Sequence, residues 1–332
     1  MNTLDFKALL VSEKPDGTFI QEVVKRKITD LPDNELLIKV NYSSLNYKDA
    51  LSATGHKGVS KFYPHTPGID ASGLVAFSRD KRFKPGDEVI VTGYDLGMNT
   101  PGGFAEYISV PGDWVVPLPQ SLSLKEAMML GTAGFTAAYA LYKLIEGGQK
   151  PENGPVLVTG ATGGVGSLAV ALLSKAGFEV IAATGKPDSA DYLKALGANR
   201  ITDRGEVNDT SGKPLMKPKW AGAIDTVGGN VLATVLKACQ KHGNVAAMGN
   251  VLSVELHTTV FPFILNGINL LGVDSATCPM SIRQELWKKL GNEWKPDKLE
   301  MISSQCYLED LPEYISKILK GEMEGRKLLA IR

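Results

Sequence analysis

The chain has 332 residues, 43% of them hydrophobic and 22% charged, as in a folded globular protein and unlike a disordered one. Its 36 basic residues balance 36 acidic ones, so no general attraction to nucleic acid or an anionic membrane is expected. Three scattered cysteines, Cys239, Cys278 and Cys306, form no C-x-x-C pair, which argues against a disulfide framework or a thiolate zinc site and for a reducing compartment. The opening MNTLDFKALL lacks the basic-then-apolar layout of a secretion signal, and no apolar run reaches about 18 residues. A cytoplasmic protein of about two domains, each of roughly 150 residues, is the expectation.

Residues 7–120 read as short strands (7–11, 35–42, 73–77, 88–92 and 105–110) separated by Pro32-Asp33-Asn34, Pro85-Gly86-Asp87 and Pro101-Gly102-Gly103. Proline presets φ and glycine accepts φ > 0, so these are turns, and many short strands with such turns indicate a barrel-like β unit. From Ser121 the pattern becomes helical, with a long buried helix over 127–145. Strands at 156–159, 180–184, 223–227, 244–248 and 268–273 then alternate with helices at 168–175, 190–196 and 231–239. Such alternation predicts a parallel sheet covered on both faces. Two further helices (282–290 and 311–320) and a strand at 327–332 close the chain.

The segment Val156-Leu-Val-Thr-Gly160-Ala-Thr-Gly163-Gly164-Val165-Gly166 runs from an apolar strand through glycines into an amphipathic helix. Glycine lets the backbone turn sharply and approach a pyrophosphate, which then rests on the amides and positive end of the following helix. No Lys-Ser/Thr follows Gly166, which excludes a nucleoside-triphosphate loop. An acidic residue at the end of the second strand would bind the ribose hydroxyls of NAD, but the stretch here is Ala182-Ala-Thr184-Gly185-Lys186, with no acid before Asp188. Thr184 and Lys186, joined by Arg204, suit the 2′-phosphate of NADPH instead. Each charge-assisted contact contributes roughly 1.5–3 kcal/mol, or about 10- to 100-fold in preference.

Two patterns are set aside. Tyr139-x-x-x-Lys143 fits the catalytic pair of short-chain dehydrogenases but precedes the glycine loop instead of following it. His56, His65, His242 and His257 show no metal-ligand spacing, and Cys239 is placed on an apolar helix face.

A barrel-like unit followed by a mid-chain dinucleotide loop resembles the medium-chain dehydrogenase/reductase superfamily. The likeness is carried by Pro67-Gly-Ile-Asp70-Ala-Ser-Gly73, Phe83-Lys-Pro-Gly-Asp87-Glu-Val89, Gly103-Phe-Ala-Glu106-Tyr107 and the glycine loop. The superfamily's zinc ligands, Cys, His-Glu and Cys, align with Asn46, Ile69-Asp70 and Ala133, which matches its zinc-free quinone oxidoreductase branch. Ser44-Leu-Asn-Tyr47-Lys-Asp49-Ala, Gly131-Thr-Ala-Gly-Phe-Thr136-Ala, Ala223-Ile-Asp-Thr-Val-Gly228, Pro262-Phe-Ile-Leu265, Gly272-Val-Asp-Ser275 and Gly325-Arg326 are similar to the YhdH/YhfP/AcuI (acrylyl-CoA reductase) group over essentially the whole chain.

The resemblance implies a GroES-like β-barrel catalytic domain (1–124, completed by 277–332) and a Rossmann domain with a doubly wound parallel sheet (125–276), with the active site in the cleft between them. It implies NADPH held by Tyr47, Gly163, Gly164, Val165, Gly166, Thr184, Gly185, Lys186, Arg204, Asn250, Ile264 and Ser275. Asn250 stands where the group often has leucine. Hydride transfer to the β-carbon of an enoyl-CoA or enone, then protonation at the α-carbon, is the implied reaction. Tyr47 is the first choice for proton donor or enolate partner, with Asp49 and Asn46 next; the alternative is that Tyr47 packs on the cofactor and water delivers the proton. Asp70 and Lys48 read as structural. Quinone reduction and a non-enzymatic NADPH-binding role with nucleic acid stay open, the latter disfavoured by zero net charge. A homodimer through the last Rossmann strand, about 268–273, is implied by resemblance alone.

Overall fold

A run of apolar residues buried among polar ones marks where the chain first forms a sheet. The computed structural model describes residues 4–332, so the first three residues of the opening segment lie outside the described residues. Strand β1 (Asp5–Glu13) buries Phe6, Ala8, Leu9 and Val11 and pairs antiparallel with β2 (Phe19–Lys27) along its full length. β3 (Leu36–Leu45) leads into the short helix α1 (Tyr47–Ala53), followed by β4 (Asp70–Ser78), β5 (Glu88–Thr92), β6 (Tyr107–Val110) and β7 (Val115–Pro117). Neither β2 nor α1 was expected from the sequence. Leu36, Ile38, Val40, Ala71, Val75, Val89, Val91 and Ile108 form the core between these strands.

Helix α2 (Leu124–Glu146) introduces the alternating part: β8 (Val156–Val158), α3 (Gly164–Lys175), β9 (Val180–Thr184), α4 (Ala190–Ala195), β10 (Arg200–Asp203), β11 (Trp220–Asp225), α5 (Gly229–Lys237), β12 (Cys239–Ala247), α6 (Phe261–Asn266) and β13 (Asn269–Gly272). All pairings in this sheet are parallel, in the order β10-β9-β8-β11-β12-β13. That order is the doubly wound Rossmann arrangement, with its switch point between β8 and β11. Leu157, Ile181, Ala223, Val235 and Val245 fill the layer beneath α5, where Trp220 donates its indole N–H to Val235 O at 3.0 Å. Cys239 opens β12 and does not lie on the helix, because α5 ends at Lys237.

The chain ends with α7 (Met280–Gly291), α8 (Leu299–Ile302), β14 (Ser303–Cys306), α9 (Leu311–Leu319) and β15 (Arg326–Ala330). β15 pairs antiparallel with β3, so the C-terminal segment completes the sheet that β3 begins, apart from the β1–β2 pair.

Two compact units result: the described residues up to Thr132 with Ala276–Gly291 and Leu299–Arg332, and Ala133–Ser275 with Asn292–Lys298. The first border falls inside α2 and not after residue 124. Gly131 breaks the helix there at φ 51° and ψ −156°, a conformation open to glycine, and Thr132 donates from its N and Oγ1 to Asp70 of β4. Residues 292–298 join the second unit through Lys175–Asp297 (2.7 Å) and Lys298 to Ala195 O (2.7 Å).

The three cysteines are buried and form no disulfide, and burial pushes the Cys239 and Cys306 thiols up to about 12, which keeps both protonated at neutral pH. Tyr139 and Lys143 pack together on α2, with the ammonium 4.9 Å from the ring and donating to Gly272 O at 2.6 Å. Among the described residues no helix is long and apolar enough to cross a membrane.

Candidate functional site

In the second unit, β8 turns into α3 through the glycines. Gly160 sits at φ +58°, and a Cβ there would stand 2.5 Å from Thr226 Oγ1. Gly166, in the first turn of α3, lies so close to the incoming backbone that a Cβ would meet Gly160 O at 2.2 Å. Gly163 is the helix cap and has no side-chain cap bond. The first-turn amides of Gly164, Val165 and Gly166 are therefore left for an outside acceptor, at the positive end of the helix. Thr159 fixes the loop to β11: its hydroxyl donates to Asp225 Oδ1 (2.7 Å) and accepts from Thr226 N (3.0 Å). Gly228 N donates to Asp225 Oδ2 (2.8 Å), and burial raises that carboxyl above the usual carboxylate range.

At the end of β9, Thr184 is buried and its hydroxyl accepts from Lys186 N at 3.0 Å. Parallel pairing sets Asp203 of β10 beside Thr184 and brings Arg204 to the same strand end. A Cβ on Gly185 would lie 2.7 Å from Arg204 Cδ, so the arginine lies flat against the glycine backbone. Thr184, Gly185, Lys186 and Arg204 thus form one group, without an acidic residue at the end of β9. Asn250 is exposed beyond β12, and Ile264 is exposed on α6. Ser275 accepts from Thr136 Oγ1 at 2.7 Å, or donates to it.

In the first unit, β3 ends at Leu45 and Asn46 caps α1. Asp49 Oδ2 accepts from Asn46 N (2.7 Å) and Asn46 Nδ2 (3.2 Å), while Asp49 Oδ1 accepts from Ile69 N (2.8 Å). Asn46 Nδ2 also donates to Asp70 Oδ2 (2.8 Å), and Asn46 Oδ1 accepts from Arg326 Nη1 (2.8 Å). Ser44 Oγ donates to Asp70 Oδ2 (2.5 Å) and accepts from Arg326 Nη2 (2.6 Å). Tyr47, first residue of α1, is outside this network and 36% exposed. Asn46 and Asp49 are buried, and their side chains hold the turn through these bonds.

Burial first, then the charge of Asp70, pushes the Asp49 carboxyl up to about 7 despite its three N–H donors. The folded protein then holds a proton at Asp49 that the unfolded chain releases above about pH 4. Stability from this group therefore declines as pH rises from about 4 to about 7 and is level above that. Urea denaturation at about pH 5 and about pH 8 should show the wild type losing stability relative to Asp49→Asn; an unchanged difference would mean the carboxyl is ionised throughout.

The zinc-binding dehydrogenase family profile matches residues 164–292, and the alcohol dehydrogenase GroES-like domain profile matches residues 32–120. The chain is 47% identical to YhfP of Bacillus subtilis, whose name places it among quinone oxidoreductases, over the whole of both chains. The chain belongs to the medium-chain dehydrogenase/reductase superfamily, in its YhdH/YhfP group. Acrylyl-CoA reductase AcuI of Ruegeria pomeroyi is 45% identical across 98% of this chain and 99% of its own. Two solved structures superpose closely: YhdH of Salmonella enterica with NADP (TM-score 0.95, 44% identity, 98% of this chain and 100% of that one) and B. subtilis YhfP with NAD (TM-score 0.96, 46% identity, 99% and 100%). The fold is the superfamily's GroES-like unit plus Rossmann sheet.

Within this superfamily, the zinc-binding name does not carry over to these residues. Ile69 and Ala133 have no donor atom, and Asp70 is taken up by hydroxyl, amide and guanidinium donors. Among the described residues no three His, Cys, Asp or Glu side chains converge to hold a metal. The medium-chain group member's Arg326 was visible in sequence only as part of a Gly-Arg motif; its place in the Asn46–Asp70 network had no local signal.

Proposed function

We propose that the chain is an NADPH-dependent, zinc-independent reductase that delivers hydride to the β-carbon of an activated C=C bond, in acryloyl-CoA or a related enone. The observation that carries the cofactor reading is the end of β9, where Arg204 lies against Gly185, between Thr184 and Lys186 in the chain, and β9 itself ends without an acidic residue. The acceptor class rests on the likeness to AcuI over nearly the whole chain.

NADPH, when bound, supplies the hydride. The amides of Gly164, Val165 and Gly166 bind the pyrophosphate at the start of α3, and the glycines give it close approach to the backbone. Thr184, Lys186 and Arg204 bind the 2′-phosphate. Asn250, Ile264 and Ser275 complete the set of cofactor contacts carried by the family likeness. The exposed Tyr47 hydroxyl holds the proton for the substrate's α-carbon and donates a hydrogen bond to the enolate oxygen before that transfer.

The test is NADPH oxidation with acryloyl-CoA, simple enones and naphthoquinones, each repeated with NADH. Turnover of quinones alone would replace this reading with quinone reduction, the activity in the name of YhfP. Lys186→Asp is expected to raise KM for NADPH about 10- to 100-fold and leave kcat within a few-fold, because the 2′-phosphate is remote from the reacting carbon. A collapse of kcat at constant KM would refute the assignment of Lys186.

The same reading includes a cytoplasmic homodimer. The homodimer is supported by the sheet edge at β13, which leaves Leu270 exposed.

A further inference from the structure

Arg326 is a buried cation that the proposed reaction does not use. It stands at the start of β15, 280 residues from Asn46 and 3% exposed. Nη1 donates to Asn46 Oδ1 (2.8 Å) and Leu45 O (3.3 Å), and Nη2 donates to Ser44 Oγ (2.6 Å). Asp70 Oδ2, 3.5 Å from Nη2, carries the opposite charge. The planar fork therefore spans the last residues of β3 and the cap of α1, one residue before Tyr47. Arginine suits this place because its fixed donors reach several acceptors at once, which a lysine ammonium on a flexible stem does not.

Asn46 has no freedom left. Its amide N, Nδ2 and Oδ1 are all bonded, to Asp49, to Ser44 and Asp70, and to Arg326. Of these partners, Ser44 and Asp49 are its own neighbours in the chain, whereas Asp70 and Arg326 come from other strands of the sheet. The direction in which Tyr47 leaves the sheet is thus set by two strands distant in sequence. A carboxylate alone would orient the amide N–H side; the guanidinium orients the oxygen side.

We propose that Arg326 is a positioning residue for Tyr47, holding the Asn46 cap so that the first residue of α1 keeps a single orientation. This rests on Tyr47 as the proton donor. Displacement of a reacting group by about 1 Å costs on the order of 100-fold in rate, so Arg326→Lys lowers kcat about 10- to 100-fold while KM for NADPH stays within about threefold. In a Tyr47→Phe background the same substitution lowers kcat by less than about threefold, because the group it positions is gone.

A second measurement does not depend on turnover. Hydrogen exchange of the Asn46, Asp49 and Ala50 amides, which are bonded to Asp49 Oδ2 or Asn46 O, quickens about tenfold in Arg326→Lys, and the amides of β8 and β9 do not change. Ser44→Ala, which removes one acceptor of Nη2, gives the same pattern in weaker form and serves if Arg326→Lys does not fold. Losses that multiply in the double variant, or α1 amides that exchange as in the wild type, overturn the proposal. Wild-type turnover in Tyr47→Phe combined with faster α1 exchange in Arg326→Lys fails the Tyr47 reading alone and leaves the anchoring in place.

Discussion

Gly166→Val is expected to weaken NADPH binding by about 100-fold, equivalent to roughly 3 kcal/mol. A Cβ at this position would lie 2.2 Å from Gly160 O and 2.8 Å from Ala161 Cα. Both are backbone atoms, so no rotamer change relieves the contact. Helix α3 must move away from the end of β8, which spoils the amide cradle, and overpacking of this kind also costs about 1–3 kcal/mol of stability. Gly163→Ala is the control: its Cβ would meet Gly160 O at 3.3 Å, a contact that a small shift relieves. Titration by NADPH fluorescence measures both variants. Binding by Gly166→Val within threefold of the wild type would defeat the assignment of the loop.

Asp70→Ala should lower the unfolding free energy by about 3–5 kcal/mol, the usual cost of leaving a buried charge without its partner. Asp70 is fully buried and accepts from Ser44 Oγ, Asn46 Nδ2, Thr132 N and Thr132 Oγ1, with Arg326 as its counter-charge. Removing it strands the guanidinium and releases the kinked start of the second half of α2. Asp70→Asn keeps the size and one carbonyl acceptor, so it should cost less than the alanine variant. Urea unfolding followed by circular dichroism decides the matter, and an alanine variant within about 1 kcal/mol of the wild type would show that the cluster is not a support.

Much of the second unit could be read from sequence because its signals are contiguous. An apolar run, a glycine turn and an amphipathic helix follow one another at 156–175, and the strand–helix alternation repeats down to β13. The elements missed were short or lacked a clean period. β2 is half-buried along most of its length, so its residues do not alternate sharply. α1 has seven residues, too few for a helical period to show. β14, Ser-Ser-Gln-Cys, exposes its central pair and owes its place to parallel pairing with β15.

Sequence by itself determined the Rossmann alternation, the glycine turn from β8 into α3 and the lack of an acid within β9, since each is a matter of neighbouring residues meeting a local chemical demand. The exposure of Tyr47 and the burial of Asn46 and Asp49 were decided only by tertiary structure, as was the reason Gly131 must be glycine. At Gly131 a Cβ would meet Asp70 Oδ2, Ser44 Oγ and Arg326 Nη2 at 2.5–2.6 Å. Those three groups come from strands far apart in the chain, and only the closing of β15 onto β3 brings the buried cation to the two carboxylates.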